Sequence, residues 1–345
     1  MTTETAAPAH APRLFQLDGL RGIAAFMIVA YHLDIVYGIG GPFQRGYLFV
    51  DLFFLLSGFV LAVSTEKKLL SGIGAVEFTW ARFKRLWPLV AVGAGVAVVR
   101  AFYLHMADPL TLLWWLALDL AMFPAWGTGP FYRYNGPQWT LFYELLANFL
   151  HALALKRVPT WAMVLLAAVM GAWLVYTVNL HGNDTMGVNA PTAKTWWYAL
   201  PRVGFSYVLG VSIGRLYKGG LRTPSLPWPL ALALPIAGIA CVPYLPLGKV
   251  WGDLGFVMLF LPIMMWLTAL CRPPEYLKAP MEWLGTFSLP LYCVHLTVLV
   301  WTKELAGNSS GATAALAVVI ALALSWFFSK VVSFSSKPTV AKVAS

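Results

Sequence analysis

The chain has 345 residues, of which 59% are hydrophobic and only 11% are charged. Soluble domains carry about 25% charged residues, so this composition excludes an ordinary water-soluble protein. The formal charge of +10 would suggest nucleic acid as a partner of a soluble protein. Here basic loops between apolar runs account for most of that charge, and we expect no nucleic-acid partner. The spacing of His, Glu and Cys fits no metal site, so no metal is predicted.

Ten apolar runs have about the length that a bilayer-spanning helix needs. A weaker eleventh run, at 110–126, contains Asp119. Segments of alternating polarity, which build membrane barrels, do not occur. The sequence therefore predicts an all-α polytopic protein that is integral to the plasma membrane, with the lipid bilayer as its first partner. The ten runs cover approximately residues 14–37, 47–65, 86–104, 138–156, 160–180, 196–217, 226–245, 251–271, 283–303 and 312–334.

Basic residues cluster on alternate connections between these runs. The connection from Lys67 to Arg85 is predicted to be cytoplasmic because loops rich in Lys and Arg stay inside. The later basic clusters fall on the same side only if the run at 110–126 does not cross. We therefore predict about ten transmembrane helices, both termini cytoplasmic, and a non-crossing or re-entrant segment at about 105–136. Such a segment must be buried in protein or line a cavity.

The domain organisation is predicted to be simple. Residues 14–334 form a single transmembrane domain, because no water-soluble domain fits between the apolar runs. Residues 1–13 are polar and rich in Ala and Pro, which predicts a disordered N-terminal tail. Residues 335–345 are predicted as a C-terminal tail.

Two ionisable residues of the first run share one helix face. Arg21 and His32 are eleven residues apart, which is three turns plus about 20° and a rise of about 16 Å. Ionisable residues inside a membrane usually face a cavity or a partner. One line of this helix thus carries a fixed cation and, deeper, a titratable base. The alternative is a snorkelling arginine and a packed histidine.

Arg82 and Arg85 also share a helix face, at the start of the third run. Guanidinium groups suit phosphate oxygens, so this pair could bind an anionic cofactor. From spacing alone, an anchor at the cytoplasmic border is the better interpretation.

Three further ionisable residues lie within later runs. Glu144 needs a partner, either in a structural ion pair or in an active site. Arg202 is a candidate counter-ion for Glu144 or a candidate contact for an anionic acceptor. His295 is a second candidate catalytic histidine, with a satisfied core histidine as the alternative. Asp51 is a weaker candidate.

Six segments, taken in order, resemble the acyltransferase-3 family of membrane acyltransferases, which includes the O-acetylases of O-antigen and other polysaccharides. The resemblance runs from about residue 14 to 303. One motif departs from the family pattern, because WTLFYELLANF lacks the second carboxylate and the tyrosine of WSLSxEEQFY. The segments are LDGLRGIAAFMIVAYH, FVDLFFLLSGFVLA, ARFKRLWPL, QWTLFYELLANF, PRVGFSYVLG and LGTFSLPLYCVHLTVL.

The resemblance implies an acyl-coenzyme A donor, usually acetyl-CoA, that enters from the cytoplasm, and transfer to a hydroxyl at the outer side of the membrane. It implies that Arg21, Arg82 and Arg85 contact the donor. Catalytic roles fall to His32, Glu144 and His295. We take Asp51, Trp139 and Arg202 as candidate substrate contacts. A carbohydrate, a glycolipid or a secondary metabolite would fit as acceptor.

Two other functions are compatible with the same residues. In a transporter or proton-coupled channel, the intramembrane Arg, His and Glu side chains would form a relay. No repeated halves, which many transporters have, are evident in the sequence. An inactive membrane scaffold is the third interpretation, and a homo-oligomer is compatible with all three. Binding of coenzyme A would separate the enzyme from both alternatives.

Overall fold

The computed structural model describes residues 14–127, 129–181, 186 and 191–335. The predicted N-terminal tail at 1–13 lies outside this range, and so does the predicted C-terminal tail at 335–345 except for its first residue, Ser335, which ends the last helix. The described residues form eleven helices, with the 3₁₀ turns Gly136–Gln138 and Trp196–Tyr198 left outside the helices that follow them. These are α1 (Phe15–Tyr37), α2 (Gly46–Leu70), α3 (Ala75–Tyr103), α4 (Pro109–Leu120), α5 (Trp139–Leu153), α6 (Thr160–His181), α7 (Ala199–Lys218), α8 (Trp228–Tyr244), α9 (Lys249–Leu270), α10 (Glu275–Ala306) and α11 (Gly311–Ser335).

Seven of these helices are long and apolar enough to cross a membrane, namely α1, α2, α3, α6, α9, α10 and α11. The prediction of an all-α multi-pass membrane protein is confirmed. Each of the ten predicted runs coincides with a helix, but two starts were wrong. The ninth run was expected to begin at 283, whereas α10 begins at Glu275. The third run was expected to begin at 86, whereas α3 begins at Ala75. Arg82 and Arg85 therefore lie inside a helix and not in the loop before it.

Glycines allow α1 and α10 to pack closely side by side. A Cβ atom at Gly22 would lie 2.7 Å from the Cβ of Leu284, and one at Gly285 would lie 2.5 Å from the Cβ of Asp18. The Tyr37 hydroxyl, at the end of α1, donates to the carbonyl of Leu299. The contacts advance along both helices in the same direction, so α1 and α10 are parallel. We call the end of the bundle where they begin the proximal end, and the other the distal end.

The helices α2 and α7 form a second close pair. Ser206, Gly210 and Gly214 recur every four residues on α7, which is the small-residue spacing typical of tight membrane helix pairs. A Cβ atom at Gly214 would lie 2.7 Å from the carbonyl oxygen of Phe59 on α2. On α2, a Cβ atom added to Gly58 would collide with the carbonyl oxygen of Tyr207.

The segment before α5 contains the short helix α4, whose 12 residues span about 18 Å. The Thr111 hydroxyl and amide donate to Asp108 at the start of α4 and lower the pKa of that carboxyl. At the other end of the segment, Asn135 donates to the carbonyl of Cys293 on α10. The segment is thus held against α10, and α5 begins directly after it.

The connection after α5 returns to the proximal end. Lys156 donates to the carbonyl of Leu69 at the end of α2. Arg215, near the end of α7, bonds both Glu66 of α2 and the carbonyl of Val158. The helix α3 therefore begins at the proximal end, and the chain has returned to the proximal end where α5 ends.

Candidate active site

One cavity of about 640 Å³ lies among α1, α2, α3, α5 and α10. It brings together the three arginines that were predicted to contact a donor. Arg21 comes from the first half of α1, and Arg82 and Arg85 come from the first half of α3. Other polar residues of its lining are Asp18, Ser57, Ser64, Thr140, Glu144, Thr286, Ser288, Tyr292 and Ser329. The rest of the lining is mainly Leu, Val and Phe, so the cavity has cationic groups on largely apolar walls.

Glu144 lies in this cavity and pairs with Arg82. The Arg82 guanidinium lies 2.9 Å from the Glu144 carboxylate, and the Ser57 hydroxyl donates to the same carboxylate oxygen at 3.0 Å. From the sequence, a structural ion pair and an active-site role were both open for Glu144, with Arg202 as one candidate counter-ion. Its carboxylate instead bonds Arg82 and Ser57, because α5 places it opposite α2 and α3. Glu144 therefore orients Arg82, and its predicted catalytic role stays a prediction.

The α2 wall of the cavity is irregular. Leu61–Thr65 form a π-helical turn within α2, a feature that is frequent at functional sites. Val63 and Ser64 of this turn line the cavity.

Two hydroxyl groups also line the cavity, opposite one another on α5 and α10. The hydroxyls of Thr140 and Tyr292 are 2.8 Å apart, and both lie within hydrogen-bond distance of the carbonyl oxygen of Pro137. The ring of Tyr292 is 5.9 Å from the ring of His295, between centroids. This part of the cavity therefore adjoins the histidines.

His32 and His295 form a hydrogen-bonded pair. The Nε2 atom of His295 lies 3.1 Å from the Nδ1 atom of His32. His295 is completely buried and His32 is partly exposed. The pair exists because α1 and α10 run parallel in close contact, which places two histidines that are 263 residues apart at the same height.

The backbone fixes where the protons of this pair lie. The Nδ1 atom of His295 is 2.9 Å from the carbonyl oxygen of Leu291, which can only accept, so Nδ1 of His295 carries a proton. In neutral His295 the Nε2 atom is then an acceptor. The Nδ1–H group of His32 can be shared between this acceptor and the carbonyl of Ile28, 3.0 Å away. The Nε2 atom of His32 keeps a lone pair, as a general base requires.

Asp51 and Arg202 form a buried ion pair towards the distal end. Arg202 donates to both oxygens of Asp51, at 2.6 Å to the nearer one, and Ser206 also donates to this carboxylate. Arg202 also donates to the carbonyls of Tyr47 and Met186. The alternative in which Arg202 is the counter-ion of Glu144 was wrong. Both side chains are nearly inaccessible, and their predicted contact with a substrate remains a prediction.

A second charged pair, Arg45 and Asp253, lies beside this one and was not predicted from the sequence. Asp253 accepts from the Tyr47 hydroxyl, from Arg45 and from the amide of Met186. An aspartate within the apolar run at 251–271 is the signal that could have revealed it. The Tyr47 ring contacts Tyr31, whose own ring contacts His32 at 4.9 Å.

Trp139, the third predicted substrate contact, is mostly buried against Phe54 and Tyr143. It lies one residue before Thr140, which lines the cavity. Tyr292 was also missed, although it stands three residues before His295 and therefore on the same helix face. Within the described residues, no group of three or more His, Cys, Asp or Glu side chains could hold a metal ion.

Comparison with known proteins identifies the family. The acyltransferase-3 model, described as an acyltransferase domain, matches residues 14–330. This chain belongs to the acyltransferase-3 family. It is a multi-pass membrane enzyme and an acyltransferase that acts on hydroxyl groups.

Three known proteins are similar in sequence to this acyltransferase. The peptidoglycan O-acetyltransferase OatA of Listeria monocytogenes is 25% identical over 83% of this chain, which spans 49% of that protein. Acyltransferase MdmB of Streptomyces mycarofaciens is 26% identical over 88% of this chain and 84% of its own length. Protein 2 in the picA locus of Rhizobium radiobacter is 36% identical over 47% of this chain and 93% of its own length. A comparison with solved structures found no match.

Proposed function

We propose that this acyltransferase moves an acyl group, most simply acetyl, from cytoplasmic acyl-CoA to a hydroxyl of a carbohydrate or glycolipid at the outer side of the membrane. One observation carries the proposal. Arg21, Arg82 and Arg85 line a single cavity, and that cavity reaches Tyr292, which adjoins the histidine pair. The cavity thus offers cations for a polyanionic donor, and the histidine pair, which is not part of the lining, lies beside it next to Tyr292.

The sidedness follows from charge and chain path. The proximal loops contain the basic clusters, so the proximal end is assigned to the cytoplasm. The contact between Lys156 and Leu69 supports a chain that does not cross in the 105–136 segment. The short helix α4 agrees, since about 18 Å is less than the ~30 Å of a hydrocarbon core. We infer ten crossings, cytoplasmic termini and a plasma-membrane location.

The donor would enter with its phosphates on the arginines. Arg21 and Arg85 are the main candidate contacts, and Arg82 is oriented by Glu144 and Ser57. Guanidinium groups bind phosphate through paired hydrogen bonds. The extended pantetheine arm would follow the apolar wall and bring its thioester towards Tyr292. The rise of about 16 Å from Arg21 to His32 sets the scale of this reach.

The chemistry is direct transfer. The acceptor hydroxyl attacks the thioester carbonyl carbon while the Nε2 atom of His32 takes its proton. The resulting tetrahedral intermediate collapses, the carbon–sulfur bond breaks, and the coenzyme A thiolate leaves. The thiolate then takes the proton from His32. One ester bond forms, one thioester bond breaks, and His32 returns to its starting state.

His295 stabilises the charged form of His32 in this scheme. The Nε2 lone pair of His295 faces the Nδ1–H group of His32 and accepts from it most strongly when His32 carries the transferred proton. A neutral imidazole thus takes the place that a carboxylate has in hydrolytic triads. In this scheme Glu144 bonds Arg82 and does not take that place.

A carbohydrate acceptor is supported by similarity. OatA, which aligns with 83% of this chain, is named a peptidoglycan O-acetyltransferase. A transporter is not favoured, because the family and its named relatives are acyltransferases.

The test measures donor binding and thiol release with purified protein in detergent. Acetyl-CoA is supplied with and without a glycan fraction from the native host. His32→Ala is expected to lower the rate of thiol release by about 10²- to 10⁴-fold, the usual contribution of a general base, while acetyl-CoA still binds. Arg85→Ala is expected to weaken binding and to leave the saturated rate nearly unchanged.

A third variant separates the two histidines. His295→Phe removes the acceptor for the His32 Nδ1–H group at similar volume. A hydrogen bond to a charged group contributes about 1.5–3 kcal/mol, which corresponds to a loss of about 10- to 150-fold in rate. Failure of every acyl-CoA to bind the unaltered protein would contradict the proposed function, and full activity of His32→Ala would contradict the role of His32.

A further inference from the structure

The hydroxyl groups of Thr140 and Tyr292 point to a role in the reaction itself. We propose that they form the oxyanion site that stabilises the tetrahedral intermediate of acyl transfer. Nothing in the similarity of the chain to its relatives assigns a function to either residue. The inference rests on the proposed function, because an oxyanion arises only if an acyl carbonyl is attacked in this cavity.

The two hydroxyls have an unusual proton arrangement. Their oxygens are 2.8 Å apart, and the carbonyl oxygen of Pro137 lies 2.9 Å from Thr140 and 3.1 Å from Tyr292. The three oxygen–oxygen contacts are therefore shared by only two hydroxyl protons. One hydroxyl donates to Pro137, and the other donates either to the same carbonyl or to its neighbour. The proton shared between the hydroxyls can turn to a new acceptor while Pro137 keeps its bond.

The position of the pair fits an oxyanion site. Both residues line the cavity that contains the three arginines, and both side chains are otherwise buried among apolar groups. Tyr292 also places its ring 5.9 Å from that of His295, which bonds the proposed base. Thr140 and Tyr292 therefore place two hydroxyl groups in the part of the cavity lining that adjoins the histidine pair.

The elements that hold the pair are rigid. Thr140 is in the first turn of α5, directly after the 3₁₀ turn Gly136–Gln138 that presents the Pro137 carbonyl. This turn is held to α10 by Asn135, which donates to the carbonyl of Cys293, the residue after Tyr292. Preorganised donors of this kind stabilise developing charge without reorganisation, which is why oxyanion sites contribute strongly to rate.

The chemistry requires such donors. When the acceptor oxygen bonds to the thioester carbon, the π electrons of the carbonyl move to its oxygen, which becomes an alkoxide. One hydroxyl proton of the Thr140–Tyr292 pair then bonds this alkoxide. On collapse the electrons return, the carbonyl re-forms, the carbon–sulfur bond breaks, and the hydroxyl turns back to its neighbour. No proton is consumed by the pair.

The experiment compares Tyr292→Phe, Thr140→Val and Thr140→Ser with the unaltered protein. The first two each remove one donor at nearly constant shape, and the third keeps the hydroxyl. Removal of one oxyanion donor typically lowers kcat by about 10²- to 10³-fold. We therefore expect this loss in Tyr292→Phe and a large loss in Thr140→Val, with acetyl-CoA binding and the thermal unfolding midpoint close to those of the unaltered protein. Thr140→Ser should retain most of the activity.

Tyr143→Phe is the matched control. Tyr143 is also buried on α5 and donates to a backbone carbonyl, that of Trp196 at 2.7 Å, but it is not part of the cavity lining. A purely structural role would make Tyr292→Phe and Tyr143→Phe behave alike, and that result would overturn the proposal. So would a kcat of Tyr292→Phe within threefold of normal. Absence of any turnover by the unaltered protein would instead contradict the proposed function.

Discussion

Two buried arginines and two buried aspartates lie in the distal half of the bundle. Asp51 and Arg202 are each other's main hydrogen-bond partners. Ser206 also donates to Asp51, and Arg202 also donates to two backbone carbonyls. Asp253 joins Arg45, Tyr47 and the amide of Met186. These bonds tie α2, α7 and α9 to the connection after α6. The charges therefore hold the distal connections in place next to Tyr31 and His32.

Replacement of Asp51 by Asn tests this view at a single residue. The change leaves Arg202 charged, buried and without its counter-ion, and removal of one partner of a buried pair typically costs about 3–5 kcal/mol. We expect a much lower thermal unfolding midpoint in detergent. Glu275→Gln, which breaks the exposed pair with Lys278, is the control and should change stability by less than about 1 kcal/mol. Normal stability of Asp51→Asn with a raised acceptor KM would instead support substrate contact.

At the scale of helices, the decisive contact is the parallel pair of α1 and α10. Glycines at 22 and 285 remove the side chains that would keep the two helices apart. The same close approach, continued along both helices, brings His32 and His295 within 3.1 Å. The packing of small residues is therefore a condition for the histidine pair.

Gly22→Ala should disturb both packing and activity. The added methyl group would lie 2.7 Å from the Cβ of Leu284, a contact that only a shift of the helix can relieve. Overpacking of this kind costs about 1–3 kcal/mol. We expect a lower unfolding midpoint and a lower kcat, measured together on the purified variant.

Gly95→Ala provides the control for that experiment. Gly95 is also helical, on α3, but a Cβ atom there would have no neighbour within 4 Å. Alanine is favoured over glycine in helices by about 0.5–1 kcal/mol, so this change should be neutral or stabilising. Equal effects of the two substitutions would contradict the role assigned to the α1–α10 contact.

At the scale of the whole molecule, hydropathy was sufficient to predict the helices, and the motifs were sufficient to predict the family. The apolar runs predicted where each helix lies, and the motif order predicted the acyltransferase. Periodicity within one helix also placed Arg21 and His32 on one face. Pairing between distant helices could not be predicted, since it depends on which helices touch. Thus the partner of Glu144 is Arg82 and that of Arg202 is Asp51, while the bond between His32 and His295 was not anticipated.

The number of crossings gives the last prediction. With ten crossings, the connections at residues 71 and 157 face the cytoplasm and that at residue 106 faces outwards. If α4 crossed as an eleventh span, residue 157 would face outwards instead. The structure favours the first arrangement, because Lys156 contacts Leu69 at the proximal end. Ser71, Met106, Arg157 and Ser309 are all exposed and suit labelling.

Single cysteines at these four positions, in a variant without Cys241, Cys271 and Cys293, would be treated with a membrane-impermeant maleimide on intact cells. Met106→Cys and Ser309→Cys should react, because they lie on distal connections. Ser71→Cys and Arg157→Cys should react only after the membrane is permeabilised. Labelling of Arg157→Cys in intact cells would mean that α4 crosses the membrane. Labelling of Ser71→Cys but not of Ser309→Cys would reverse the whole orientation, and the arginine-lined cavity would then open away from the cytoplasmic pool of acyl-CoA.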